Sequence, residues 1–171
     1  MTAAADRSRH AVAGETGDNY RWVVLGVTSV GALLASLTSG TLVIALPEIL
    51  RDLHTDLFTL LWIVVGYTLA ATVVVLNAGR FSDQVGRARS YTAGFALFTV
   101  ASVACALAPS ALLLVAARLI QGVGGAFLMA NSAALVTDAF PRRELGRALG
   151  INAMVVGAGL IIGPILGGWL T

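Results

Sequence analysis

Long apolar runs alternate with short polar segments along the sequence. The apolar runs occupy residues 22–46, 57–78, 90–108, 111–137 and 148–170. A helix needs about 20 apolar residues to cross a hydrocarbon core about 30 Å thick, and every run is close to that length or longer. One charged residue lies inside these runs, Arg118 in the fourth. The pattern therefore predicts five membrane-spanning α-helices.

The polar segments mark the predicted connections. Residues 1–21 form a polar tail that we expect to be disordered, and they show no pattern of a cleaved signal peptide. Pro47 is expected to end the first helix, because proline removes a backbone donor. Residues 48–56 then form a polar connection. Residues 79–89 and 138–147 form two compact charged loops.

The composition agrees with a polytopic membrane protein. Of the residues, 57% are hydrophobic and 12% are charged, about half the charged fraction of a soluble domain. The single cysteine, Cys105, and the two isolated histidines predict neither a disulfide framework nor a metal site. No nucleophile–base pair and no basic nucleic-acid patch is visible, so we expect neither an enzyme, nor a bound cofactor, nor a nucleic-acid partner.

The arginines predict the orientation in the membrane. Cytoplasmic loops carry an excess of basic residues. The tail and the two charged loops carry three arginines each, whereas the opposite side carries only Arg51. The N-terminus is therefore expected in the cytoplasm. All 11 basic residues are arginine, which, with the abundant Ala, Gly and Val, suggests a GC-rich bacterial genome and hence a bacterial plasma membrane.

The last predicted helix reaches the end of the sequence. Five spans from a cytoplasmic N-terminus place Thr171 outside, flush with the fifth span. We therefore expect this sequence to be the front piece of a longer chain.

Arg118 is the first candidate functional residue. An arginine near the bilayer centre costs about 2.5–3.5 kcal/mol on insertion scales, and the apolar residues around it return roughly 3–5 kcal/mol. A charge retained at that cost is a functional candidate. Gln121, Gly122 and Gly125 follow at spacings that place them on the same helix face. The alternative is a structural arginine whose long side chain reaches the outer headgroups.

The fifth predicted span carries a regular glycine pattern. Gly159, Gly163 and Gly167 recur every four residues and predict a smooth face for close helix packing. Pro164 is expected to bend the helix, and Gly168 extends the pattern. The alternative is generic packing of small residues.

The loop of residues 79–89 is the third candidate. Gly79 and Gly86 permit tight bends, and Asp83 can accept a hydrogen bond from Arg87. Arg89 adds a further positive charge. The alternative is an ordinary basic cytoplasmic loop.

These three patterns resemble signatures of the major facilitator superfamily. The loop is similar to Gly-x-Leu-x-Asp-Arg-x-Gly-Arg-Lys, with matches at Gly79, Asp83, Gly86 and Arg87 and with Arg89 one step past the last basic position. Phe81 and Gln84 depart from it. The resemblance implies that this loop braces the two halves of a transporter and gates their movement.

The other two patterns resemble signatures of the drug exporters in that superfamily. The segment around Arg118 and Gln121 matches a signature of proton-coupled exporters and implies proton transfer or a buried polar network. The fifth span resembles their antiporter signature. Residues 42–47 and 62–69 are similar to the fourteen-helix drug:proton antiporter branch. That branch typically has an Asp where this sequence has Thr38, and no acidic residue lies in any predicted span.

The resemblance implies an all-α membrane protein, namely the first five helices of the N-terminal bundle of a major facilitator transporter. Its partners would be lipid, protons, a small hydrophobic substrate and a C-terminal half. The implied function is export of drugs or antibiotics, driven by the proton motive force. The candidate substrate cavity contains Thr38, Ser39, Arg118, Gln121 and Met129. Two alternatives remain: a same-fold transporter of a sugar, siderophore or metabolite, and an inert fragment.

Overall fold

The structure, a computed structural model, describes the backbone of residues 2–170 and the side chains of residues 19–169. This part of the chain contains five helices and no strand. The helices are α1 (Thr2–Asp52), α2 (Leu57–Val85), α3 (Arg87–Ala106), α4 (Ala111–Ala139) and α5 (Arg142–Leu170). The predicted all-α fold is confirmed.

Helix α1 is longer at both ends than the first predicted span. It begins at Thr2, so the segment expected to be a disordered tail is helical in the structure. It also continues through Pro47 to Asp52, because a proline inside a helix removes one hydrogen bond and can kink the helix without ending it. Glu48 and Asp52 therefore belong to a helix, and not to the polar connection expected for residues 48–56.

The two charged loops are also mostly helical. Helix α2 continues past Gly79 and Asp83 to Val85, and Gly86 alone separates it from α3. Gly86 has a φ of 107°, a left-handed conformation that glycine adopts without steric cost. Gly79 lies within α2, so the tight turn that the sequence permits at this position does not form.

Four helices of the described chain are long and apolar enough to cross a membrane. They are Asn19–Asp52, Leu57–Val85, Ala111–Ala139 and Arg142–Trp169. Helix α3, the third predicted span, is not among them, and it begins with Arg87 and Arg89. Its 20 residues nevertheless correspond to about 30 Å at 1.5 Å per residue.

Helix α4 is the centre of the bundle. It packs extensively against α2 and α3 and more lightly against α1, whereas α5 packs along α1. Large apolar side chains elsewhere point outward, for example Leu76 and Trp169, which are 79% and 85% exposed. In water such a surface would associate, so it is the surface expected of a protein surrounded by lipid.

The two ends of the bundle differ in charge. One end, called here the arginine-rich end, contains the α2–α3 and α4–α5 connections. The opposite end contains residues 53–56 and 107–110. There Asp56 and Ser110 cap the first turns of α2 and α4 by accepting hydrogen bonds from backbone N–H groups.

Candidate functional site: a buried arginine and two cavities

Arg118 lies inside the bundle and does not extend to the helix end. Its residue exposure is 3%. Its Nη1 donates a hydrogen bond to Gln121 Oε1 at 2.6 Å, and its Nε donates to the backbone oxygen of Ile63 at 3.4 Å. The guanidinium carbon also lies 5.0 Å from the centre of the Tyr67 ring, within the range of a cation–π contact.

Gln121 connects Arg118 to a third helix. It is fully buried, and its Nε2 donates to Ser102 Oγ on α3 at 2.6 Å. Ser102 in turn donates to the backbone oxygen of Phe98 at 2.8 Å. A continuous network of hydrogen bonds therefore runs from α2 through Arg118 to α3. The bonds in such a network strengthen one another in a medium of low dielectric. Ser102 was not predicted, because no spacing within α3 identifies it.

Two glycines of α4 provide the space for this arrangement. A Cβ at Gly122 would lie 2.5 Å from the backbone oxygen of Tyr67, and one at Gly125 would lie 2.7 Å from the Tyr67 hydroxyl. Both distances are too short for a real side chain. The glycines therefore let Tyr67 approach α4 closely enough for its ring to contact Arg118.

Arg118 also lines a cavity of about 600 Å³ between α1, α3 and α4. Thr38 and Ser102 share this lining, and Glu48 and Asp52 line it as well. None of the membrane spans predicted from the sequence contains an acidic residue. The extension of α1 past Pro47 adds both carboxylates to a cavity that also contains the buried arginine.

The residues proposed for one substrate cavity do not come together. Met129 lines a different cavity, of about 190 Å³, between α1, α4 and α5. Met129 lies eleven residues after Arg118 on α4 (129 − 118 = 11), which is about 16 Å along the helix. The hydroxyl of Ser39 donates to the backbone oxygen of Ala35 at 3.0 Å, and Ser39 lines neither cavity.

The glycine pattern of α5 faces α1. A Cβ at Gly163 would lie 2.7 Å from the backbone oxygen of Leu37, and one at Gly167 would lie 3.0 Å from that of Thr41. The Thr41 hydroxyl donates to the backbone oxygen of Gly163 at 2.9 Å. The two backbones are thus in direct contact along this seam.

The remaining residues of that pattern contribute unequally. Gly159 faces the Ser36 side chain, and the ring of Pro164 lies against Gly40 of α1. Gly168 makes only ordinary contact, since a Cβ there would be 3.8 Å from Ile44 Cγ2.

At the arginine-rich end, Arg87 joins three helices. Its Nε lies 3.1 Å from Asp83 Oδ1 on α2, and its Nη1 lies 2.8 Å from Asp138 Oδ2 on α4. The hydrogen bond with Asp83, followed by the charge of Asp138, raises the pKa of Arg87 above its ordinary value. Arg89, two positions later, is exposed.

A second ion pair at the same end was not predicted. Arg21 Nη1 of α1 lies 3.1 Å from Glu144 Oε2 of α5, and its guanidinium carbon lies 5.8 Å from the centre of the Phe140 ring. Trp22 packs edge-on against the same ring. No sequence spacing links residues so far apart in the chain.

The described residues contain no group of three His, Cys, Asp or Glu side chains that could hold a metal ion. The chemistry available here is therefore that of a buried cation, neutral hydrogen-bonding groups and nearby carboxylates.

Comparison with known proteins identifies the family. Residues 28–171 match the model of the Major Facilitator Superfamily. The chain is 37% identical over 148 residues to the riboflavin transporter RibZ of Clostridioides difficile, covering 86% of this chain and 32% of that protein. It is 39% identical over 151 residues to a probable actinorhodin transporter of Streptomyces coelicolor, covering 88% and 26% respectively.

A third relative is an antibiotic exporter by name. The tetracenomycin C resistance and export protein of Streptomyces glaucescens is 38% identical over 149 residues, covering 87% of this chain and 28% of that protein. The chain thus spans between a quarter and a third of the length of these relatives. The matched residues include α2 to α5 and the part of α1 from residue 28 onward, and the chain belongs to the Major Facilitator Superfamily of membrane transporters.

Proposed function

We propose that the intact gene product exports hydrophobic or amphiphilic compounds across a bacterial plasma membrane in exchange for protons, with its N-terminus in the cytoplasm. The observation that supports this most directly is the buried Arg118, hydrogen-bonded to Gln121 and open to a cavity. Two relatives named for actinorhodin and tetracenomycin C support an antibiotic-like cargo.

The charge of Arg118 is balanced by dipoles and not by an acid. Among residues 19–169, no carboxylate forms an ion pair with it. Its contacts are the Gln121 amide, a backbone carbonyl and the Tyr67 ring. A buried cation without a counter-ion responds strongly to any charge that enters its cavity, because interactions there are weakly screened.

The same cavity also contains acidic groups. Glu48 and Asp52 line it together with Arg118. The drug:proton antiporter branch typically has an Asp where this sequence has Thr38, and we infer that Glu48 and Asp52 take the place of that carboxylate in proton exchange.

The driving force is sufficient for export. One proton that moves inward at a potential of about 100 mV releases roughly 2.3 kcal/mol, which corresponds to a concentration gradient of about fifty-fold for a neutral cargo.

Helices α1 and α5, whose backbones are in contact, would move together as one rigid body while the transporter alternates between its two states.

Proton exchange in inverted membrane vesicles tests the proposal. We expect ethidium to release protons from energised vesicles that contain the intact gene product, and we expect Arg118→Leu to abolish this release. Arg51→Leu is the matched control, because Arg51 is an exposed arginine near the opposite end. Proton release by Arg118→Leu at the parental rate would refute the proposed role.

The second candidate function is uptake of a metabolite. It is favoured by the 37% identity to a riboflavin transporter. Accumulation of labelled riboflavin in intact cells that express the gene, together with no proton release by ethidium in vesicles, would favour this function over export.

A further inference from the structure

The smaller cavity, between α1, α4 and α5, is separate from the cavity lined by Arg118. Its volume of about 190 Å³ exceeds the roughly 150 Å³ of an engineered protein cavity that binds benzene. Tyr91 of α3 and Leu128 of α4 form part of its wall. Both of these side chains are buried, whereas Met129 is 66% exposed, so the cavity opens beside Met129.

Two polar side chains of this cavity have hydrogen-bonding groups to spare. Ser29 Oγ donates to Asn152 Oδ1 at 3.3 Å, and Asn152 Nδ2 donates to Ser132 Oγ at 3.4 Å. An amide has two N–H donors and two acceptor lone pairs. One N–H and one lone pair of Asn152, and the hydroxyl hydrogen of Ser132, therefore have no partner among the described residues.

The other polar groups in the wall are already satisfied. The Thr28 hydroxyl donates to backbone oxygens of its own helix. The Tyr91 hydroxyl donates to the backbone oxygen of Val27 at 3.1 Å. Hydrogen bonds to a ligand would thus come from Asn152 and Ser132.

The lining carries no formal charge. Apart from the groups named above, it consists of glycine, alanine and apolar side chains, and Arg118 lies about 16 Å away along α4. A charged ligand would lose hydration here without gaining a counter-ion, which is unfavourable in a buried site. The flexible thioether of Met129 at the opening can adapt to rings of different outline.

We propose that this cavity binds neutral fused-ring molecules that carry a carbonyl acceptor directly beside an N–H or O–H donor, and that Asn152 determines this specificity. Asn152 would donate to the carbonyl and accept from the N–H or O–H, while Ser132 adds a second donor. The inference deepens the proposed export function, because it names a class of cargo and the place where its rings bind.

Phenanthridin-6(5H)-one is a suitable probe, because it is neutral and fluorescent and has a ring carbonyl directly beside an N–H. We expect this lactam to bind the intact gene product in lipid nanodiscs, measured by fluorescence anisotropy. Its N-methyl derivative, which lacks the donor, and phenanthrene, which lacks both groups, should bind progressively more weakly. Equal binding of all three compounds would overturn the proposal, as would the absence of lactam binding.

Substitutions then locate the site. Asn152→Leu keeps a similar volume and removes the amide, and we expect it to weaken binding of the lactam about tenfold, the equivalent of one to two hydrogen bonds. Ser132→Ala should weaken lactam binding by less, and it provides the test if Asn152→Leu fails to fold. Asn77→Leu, the same change at an exposed position of α2, should leave binding unchanged. Parental affinity in Ser132→Ala and in a folded Asn152→Leu would refute the site.

The outcome is independent of proton coupling. Arg118→Leu should bind the lactam with parental affinity, since Arg118 does not line this cavity. Binding that depends on Asn152 in a protein without proton-coupled export would leave the site standing and refute the export function. Export of ethidium without any lactam binding would refute the site and leave the export function standing.

Discussion

Two helix seams of this bundle are built on glycine, yet they differ in the groups that lie beside the glycines. In the seam between α2 and α4, Gly122 admits the backbone of Tyr67 and Gly125 admits its hydroxyl, and the ring of Tyr67 contacts a buried cation. In the seam between α1 and α5, Gly163 and Gly167 admit backbone atoms of α1. The Thr41 hydroxyl donates an inter-helix hydrogen bond to Gly163 beside that backbone contact.

The difference indicates that the two seams have different tasks. Close backbone packing is the usual source of helix association in lipid, where the hydrophobic effect between helices is absent. A buried charge is different, because desolvation can outweigh its favourable contacts. We therefore attribute stability mainly to the α1–α5 seam, and we attribute function to the charge in the α2–α4 seam.

The largest effect on stability is expected at Gly163. Gly163→Ala would place a methyl group against the backbone of Leu37, which cannot move aside as a side chain can. We expect a loss of about 1–3 kcal/mol in the free energy of unfolding, the usual range for overpacking, measured by denaturant titration in micelles.

Gly157→Ala is the matched control for this change. It lies on the same helix, and a Cβ there would meet nothing within 4 Å. It should leave stability unchanged or raise it by up to about 1 kcal/mol through helix propensity. Equal losses in the two variants would mean that general intolerance of α5, and not close contact with α1, explains the result.

A somewhat smaller effect is expected at Gln121. Gln121→Leu removes the only side-chain acceptor that Arg118 has among residues 19–169. Leaving a buried donor unpaired costs about 1–3 kcal/mol in water-soluble proteins, and membrane proteins lie toward the lower end. Ser102→Ala, which removes the next partner in the network, should cost less. An unchanged free energy of unfolding in Gln121→Leu would contradict the importance of this hydrogen bond.

The smallest effect is expected at Thr41. Thr41→Val keeps the shape and removes the hydroxyl that donates to Gly163. Inter-helix hydrogen bonds in membranes contribute about 0.6 kcal/mol on average, and we expect a loss of that order. Thr72→Val is the comparison, because the Thr72 hydroxyl bonds within its own helix. A loss at Thr41 as large as at Gly163 would show that polar contact, and not close packing, stabilises this seam.

Local patterns in the sequence predicted much of this structure. The apolar runs correspond to the five helices, and the spacing of three between Arg118 and Gln121 places the two side chains in contact on one face. The four-residue glycine repeat of α5 places Gly159, Gly163 and Gly167 on the side that faces α1. In each case the relevant geometry is contained within one helix.

Features that depend on how separate helices align were not predictable. Ser102 and Asn152 form hydrogen bonds with residues on other helices, and no spacing in one segment fixes the relative height of two helices.

The helical state of Glu48 and Asp52 was missed for another reason. Pro47 favours a helix end locally. However, the apolar side chains before and after it pack into one cluster with α2 and α4, which supports a continuous helix. These side chains are Leu42, Leu46, Ile49 and Leu50.

The most direct test of the central claim replaces the charge and its partner together. In Arg118→Leu/Gln121→Leu, the buried cation is exchanged for apolar side chains, a change that is often neutral or stabilising. We predict a free energy of unfolding equal to or above that of the parent, together with loss of proton-coupled ethidium export by the intact gene product. A stable double variant that still exports ethidium at the parental rate would contradict the claim that Arg118 is retained for transport.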